Sequence, residues 1–226
     1  MIRFSQACVR TGAGAVLLQP TTLEVGDRRT AVIGANGSGK TTLARLVNGL
    51  TLPTDGTVSV DGRDVVAQRA EVQRRVGFVF QHADHQIVYP TPLEDVALGL
   101  RARGLSRRDA RAAALAALDQ LGLRSRADQA IHTLSGGEKH LVALCGVLAL
   151  GPEWLVLDEP TTALDLVNRR RVVEVLDGLA PRLLVVSHDL ELVAGFPRAV
   201  LLHDGAVTAD GAPEACIAAY LARVAA

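Results

Sequence analysis

Val32-Ile33-Gly34-Ala35-Asn36-Gly37-Ser38-Gly39-Lys40-Thr41-Thr42 is the stretch whose residue types and spacing most plainly allow chemistry. It satisfies G-x-x-x-x-G-K-[ST] at every fixed position. Gly34, Gly37 and Gly39 lack Cβ atoms, so the backbone can curl until its N–H groups converge, and a following helix adds the positive end of its dipole. Such a loop cradles phosphate. Lys40 brings a compact charge to terminal phosphates, the Thr41 hydroxyl suits Mg²⁺, and Asn36, Ser38 and Thr42 complete the binding loop. Of 24 basic residues, only Lys40 and Lys139 are lysines and the other 22 are arginines. A chain this rich in arginine keeps lysine where a flexible point charge, not a planar fork, is needed.

A second chemical group lies at Asp158-Glu159, delivered by the apolar run Trp154-Leu155-Val156-Leu157. Asp158 can reach Mg²⁺ through water, and Glu159 can accept a proton from an attacking water. Leu183-Leu184-Val185-Val186-Ser187-His188 repeats the design with a histidine at its tip. Alone an Asp-Glu pair after a strand is a weak signal; beside a phosphate loop it points to phosphoryl transfer.

These tips need strands and helices to hold them. An apolar run leads into the loop, and Leu43, Leu46, Val47 and Leu50 after it are spaced as one face of a helix. Strand-helix-strand alternation implies a parallel sheet with its ligand groups at the carboxyl ends of the strands. Thr57 to Val60 alternates like an edge strand, Val76 to Phe80 reads as a buried strand, and Asp204-Gly205 reads as a two-residue hairpin turn. Helices are expected to open at Thr91-Pro92-Leu93-Glu94, at Ser106 and at Ser135-Gly136-Gly137-Glu138, and another helix runs from Pro213 to Ala225. Residues 82–150 therefore form a helical insertion between 1–81 and 151–226 of a single domain.

Composition excludes other classes. The formal net charge is zero, which favours a nucleotide over a polynucleotide. The longest apolar stretch, Leu141 to Leu150, is about half of what a bilayer crossing needs, and no secretory signal opens the chain. Cys8, Cys145 and Cys216 are three in number and widely spaced, as buried thiols of a reducing cytoplasm would be. His82, His85, His132, His140 and His203 lack ligand spacing, and the clusters Arg107, Arg108, Arg111 and Arg169, Arg170, Arg171 read as solvated helix faces.

Taken together the motifs resemble the nucleotide-binding subunits of ABC transporters over nearly the whole chain. Gln81 follows a strand, Leu134-Ser135-Gly136-Gly137-Glu138 is similar to the family's signature, and Asp158-Glu159-Pro160, Ala163-Leu164-Asp165 and His188 follow in the family's order. The resemblance implies an α/β fold: a P-loop NTPase core of RecA type with a parallel sheet, an N-terminal antiparallel β subdomain and an inserted α-helical subdomain. It implies ATP and Mg²⁺ as ligands, with Thr41, Gln81 and Asp158 at the metal, Glu159 as general base and His188 at the γ-phosphate. It also implies a head-to-tail dimer in which Ser135, Gly136 and Gly137 of one copy face the nucleotide of the other and Asp165 couples the two sites. Val9, Arg10 and Thr11 stand where the family usually places an adenine-stacking aromatic, Glu138 replaces the commoner Gln, and Leu166 stands where Pro is common.

The run Phe78 to Val88 and the run Thr91 to Gly99 are similar to the ATPases of energy-coupling-factor importers. That resemblance implies a transmembrane scaffold component docking on Asp84 to Val88 and the start of the next helix, a membrane substrate-binding component, and peripheral attachment at the cytoplasmic face. Compactness and Lys139-His140-Leu141-Val142-Ala143-Leu144 are similar to the biotin-importer ATPases, with the cobalt and nickel importers as the alternative. ABC-type clamps that act on DNA or ribosomes carry long coiled coils or a second ATPase copy, and neither is present.

Overall fold

The computed structural model describes residues 1–162 and 164–224. Ala163 of the expected Ala163-Leu164-Asp165 motif and Ala225 of the expected last helix lie outside the described residues. The chain divides into two compact units, one of residues 1–76, 153–159 and 181–226, the other of residues 77–152 and 160–180.

The first unit opens with β1 (Ile2–Arg10) and β2 (Val16–Val25), then β3 (Arg29–Ile33), α1 (Lys40–Val47), β4 (Asp55–Val60), β5 (Arg63–Asp64) and α2 (Arg69–Arg75). At β6 (Val76–Val79) the chain passes into the second unit, which holds α3 (Pro92–Ala102), α4 (Arg107–Gln120) and α5 (Gly136–Leu148). β7 (Trp154–Asp158) belongs to the first unit and α6 (Leu166–Gly178) to the second. β8 (Arg182–Val186), α7 (Leu190–Ala194), β9 (Ala199–His203), β10 (Ala206–Gly211) and α8 (Pro213–Val224) complete the first. No helix of the described residues is long and apolar enough to cross a membrane.

Two sheets build the first unit. One is antiparallel, in the order β2-β1-β4-β5, with Ile2 opposite both Val25 and Val60. β4 is thus an inner strand, not the edge its alternation suggested; Ser59 pairs with Asp64 of the two-residue β5 across a turn at Asp61 (φ 47°) and Gly62 (φ 79°). The exposed Thr57 only marks the open face of that sheet. The other sheet runs β10-β9-β3-β8-β7, parallel except for β10. Its registers align Val32 with Val186 and Val186 with Asp158, so β3, β8 and β7 end level. That common edge carries Gly34, His188 and Glu159 one or two residues on. Asp204 (φ 47°) and Gly205 (φ 75°) make the expected β9–β10 turn, both left-handed as a primed turn demands.

In the second unit, α5 starts with a full capping box: Ser135 accepts from the Glu138 N–H and Glu138 accepts from the Ser135 N–H. Ser106 caps α4 and Thr91 caps α3. At Thr91 only half of the expected box forms, because Glu94 accepts from the Thr91 hydroxyl at 2.9 Å. Leu93, Val96 and Leu100 of α3, Ala114 and Leu118 of α4 and Leu141 and Leu144 of α5 are buried. β6 stops before the expected Phe80. The Gln86 side chain accepts from Phe80 N at 3.1 Å and donates to Phe78 O at 3.2 Å, taking up backbone groups that a longer strand would pair.

Candidate functional site

The phosphate loop leaves β3 with three glycines at positive φ: 149° at Gly34, 80° at Gly37 and 98° at Gly39, the residue that opens α1. At Gly34 the constraint is also steric. A Cβ there would sit 2.2 Å from Leu202 O and 2.7 Å from Ser38 Oγ. We therefore expect Gly34→Ala to lower stability by about 1–3 kcal/mol, or about 2–4 °C in Tm per kcal/mol, read by calorimetry. The loop is buttressed from behind, since Gly205 N donates to Ser38 O at 3.1 Å and Gln19 N donates to Gly205 O at 2.8 Å. The α1 helix buries Leu43, Leu46 and Val47 but ends there; Gly49 (φ 69°) turns the chain and Leu50 is exposed.

Inside the cradle, Lys40 is buried, and its Nζ donates at 2.9 Å to both Gly34 O and Ala35 O. Burial pulls its pKa below the usual lysine value, against the opposing charges of Glu159 and Asp158. The Ser38 hydroxyl is buried without a hydrogen-bond partner. A polar atom so placed costs free energy until something bonds it. Asn36 and Gly37 are exposed, while Thr41 and Thr42 are partly so.

The carboxylates converge from β7. Asp158 is buried and accepts from the Thr41 hydroxyl at 3.0 Å; burial raises its pKa, and the Arg45 charge on α1 opposes the rise. Arg45 was missed in the sequence, although its place four residues after Thr41 puts both on one helix face. Glu159 is buried, holds a left-handed backbone (φ 55°) and donates from its N–H to Val186 O at 2.8 Å. Its Oε2 lies 2.7 Å from His188 Nδ1 and accepts from His188 N at 3.3 Å. A non-glycine residue in that conformation is strained, and such strain gathers at functional sites.

The donor set fits Mg²⁺. It offers one hydroxyl and one buried carboxylate, and among the described residues no group of three or more His, Cys, Asp or Glu could enclose a metal. Magnesium usually takes only one or two protein carboxylates and fills its shell with phosphate oxygens and water. Because burial disfavours the charged form of Asp158, Asp158→Asn should raise the nucleotide-free stability by about 1 kcal/mol, or about 2–4 °C in Tm. The same variant should lose the extra stabilisation that Mg²⁺ adds to ATP, and scanning calorimetry with ATP, with and without Mg²⁺, checks both.

The other expected site residues lie in the second unit. Gln81 is half-buried just beyond β6. Ser135 caps α5 with Gly136 and Gly137 as its first helical residues. Glu138 is fully engaged: its bonds from Ser135 N at 2.9 Å and from Arg126 Nε at 2.7 Å hold its carboxyl below the usual range. Gly137 is packed against Asn168, where a Cβ would meet Cγ at 2.2 Å. Asn168 in turn donates to Asp165, from N at 2.8 Å and from Nδ2 at 2.9 Å, and these bonds keep that exposed carboxyl low. Asn168 carries no motif of its own and was not foreseen. Beside it, Leu166 and Val167 are 72% and 77% exposed, unusual for apolar side chains.

The second unit also has a groove of about 130 Å³, floored by Leu93, Ala97 and Leu98 and edged by Tyr89, Arg101 and Arg107. Arg107, Arg108, Arg111 and Arg170 are exposed, as solvated helix faces are. Arg107 edges the groove, Arg111 lies 3.2 Å from Asp128, and Arg171 donates to Leu121 O at 2.9 Å, closing the end of α4.

Comparison with known proteins agrees with this geometry. The ABC transporter family profile matches residues 20–162. The chain is 48% identical to the biotin transport ATP-binding protein BioM of Rhizobium etli, over 97% of each protein. Its fold is similar to that of cbiO1 from Clostridium perfringens, part of the ABC transporter complex cbiONQ, with a TM-score of 0.86 and 27% identity, covering 99% of this chain and 93% of that one. It is also similar to a dimeric ATP-binding cassette bound to ADP and Pi in a post-hydrolysis state, with a TM-score of 0.84 and 27% identity over 94% of this chain and 99% of that one. With the profile spanning its phosphate loop and Asp158-Glu159, and a relative of such high identity covering 97% of it, the chain belongs to the ABC transporter family and is one of its ATP-binding ATPases.

Proposed function

We propose that this ATPase powers an energy-coupling-factor importer of biotin, as a dimer whose ATP-driven closure moves membrane-embedded partners. The observation that carries the hydrolytic reading is the buried Glu159 carboxylate, 2.7 Å from His188 Nδ1 and next in sequence to the Asp158 that accepts from Thr41. Lys40 gives up its two loop carbonyls and donates to terminal phosphate oxygens. The loop N–H groups and the Ser38 hydroxyl take others. Glu159 accepts the proton of the attacking water, while His188 donates from Nδ1 to fix that carboxylate and, when its second nitrogen carries a proton, from Nε2 to the γ-phosphate. Thr41 and Asp158 would hold Mg²⁺, which when bound would neutralise phosphate charge.

In this reading the whole chain, with residues 82–150 as its helical subdomain, is the dimer's repeating unit. Ser135 supplies its hydroxyl, and Gly136 and Gly137 supply N–H groups and the positive dipole end of α5, to the nucleotide of the second copy. The exposed Leu166 and Val167 beside Asp165 support a face that a second copy covers. Asp84 to Val88 and the groove at the start of α3 take the scaffold component, so the chain sits peripherally at the cytoplasmic face. The high identity to BioM supports biotin as the cargo of the importer. The test is uptake of labelled biotin by cells carrying this chain and the membrane proteins that co-purify with it: Glu159→Gln should reduce uptake to background. Undiminished biotin uptake, or cobalt or nickel uptake in its place, would overturn the assignment.

A further inference from the structure

Lys139, the second of the chain's two lysines, has no part in the phosphate site, yet it is held as specifically as the first. Its Nζ lies 2.8 Å from Asp84 Oδ1, and its side chain is only 21% exposed against 67% for Asp84. Asp84 sits in the 3₁₀ turn Ala83–His85, three residues beyond Gln81, and that turn packs on α5. Next in sequence to Lys139, His140 is buried with an Nε2 that no described residue bonds, near enough to His82 for the two charges to oppose each other.

The segment after Gln81 is fastened at three points. Gln86 ties it to Phe78 and Phe80, Asp95 Oδ1 on α3 accepts from Val88 N and Tyr89 N at 2.8 Å and 3.0 Å, and Asp84 meets Lys139. The third tie reaches the helix that begins at Ser135, four residues before Lys139. At the far end of the segment Val88 is 75% exposed. A half-exposed ion pair contributes only about 0–1 kcal/mol to stability, so folding alone does not account for it. A lysine here also matters because its ammonium rides on a flexible stem and can follow a moving carboxylate, whereas an arginine fork holds one plane.

We propose that Lys139 is a positioning residue: through Asp84 it ties the segment following Gln81 to α5, so that closure of Ser135 on a nucleotide and displacement of residues 82–88 occur together. This rests on the reading of Ser135 as the group that meets the nucleotide of a second copy. The link runs in both directions, as any coupling between two sites must. A partner pressing on Val88 shifts the cap at Ser135, and ATP at Ser135 stiffens the segment.

Amide hydrogen exchange on the full chain tests it, with ATP and Mg²⁺ as the only added ligands and Glu159→Gln as the background that holds ATP unhydrolysed. ATP should slow exchange about tenfold or more at residues 34–42, at 135–138 and at 82–88. Lys139→Gln and Asp84→Asn should keep the first two effects and reduce the third to within about twofold. The swap Asp84→Lys with Lys139→Asp should restore it, which a merely local packing defect would not allow. Equal slowing at 82–88 in the single variants, or none there in the parent, overturns the tie. No slowing at 135–138 in the parent would instead sink the reading of Ser135 on which the tie depends.

Discussion

Glu159→Gln is expected to keep ATP binding and to lower phosphate release by about 10² or more, the scale of a lost general base. The substitution removes the proton acceptor and keeps the shape. Gln retains an oxygen for His188, and the left-handed backbone at Glu159, pinned by its bond to Val186 O, does not depend on the carboxylate charge. Steady-state phosphate release beside ATP titration separates the two effects. Hydrolysis at the parental rate would remove Glu159 from the role of base, whatever its position.

Lys40→Ala is expected to act earlier, on binding itself. In the free protein the ammonium is buried and donates to two backbone carbonyls, and burial disfavours its charge. Charge-assisted hydrogen bonds contribute about 1.5–3 kcal/mol each, so ATP affinity should fall by on the order of 10²-fold, with little loss of thermal stability in the absence of nucleotide. Calorimetric titration measures the first and a thermal scan the second. Unchanged affinity would contradict the cradle.

Much of this site is legible in the sequence because its parts are local. The phosphate loop, the caps at Ser106 and Ser135 and the primed turn at Asp204-Gly205 each depend on residues within about five positions, and a motif records such dependence directly. The strand tips at Asp158 and His188 are legible because an apolar run that stops at a polar residue has few other uses. Contacts between distant residues are not written so. Glu159 and His188 are 29 positions apart and Lys139 and Asp84 are 55 apart, and nothing in either neighbourhood names the other. Asn168 presses on Gly137 for the same reason unseen. The inner place of β4 was hidden because the two residues of β5 are too short to show a pattern, and β6 lost Phe80 to a side chain, Gln86, that periodicity does not weigh.

The proposed dimer divides the catalytic centre between two copies. In the proposed dimer the cradle, Asp158, Glu159 and His188 would hold one face of a triphosphate, and the Ser135 cap with the exposed Leu166 and Val167 would face the second copy. The proposed dimer predicts a hydrolysis rate that rises with protein concentration until the dimer saturates.

The most direct measurement is a structure of the Glu159→Gln protein with ATP and Mg²⁺, by crystallography or cryo-electron microscopy. The account predicts two copies head to tail, with Ser135 Oγ and the Gly137 N–H of each within hydrogen-bond distance of the γ-phosphate held by the other's Lys40. A bound triphosphate with Ser135 facing solvent in every copy would contradict it.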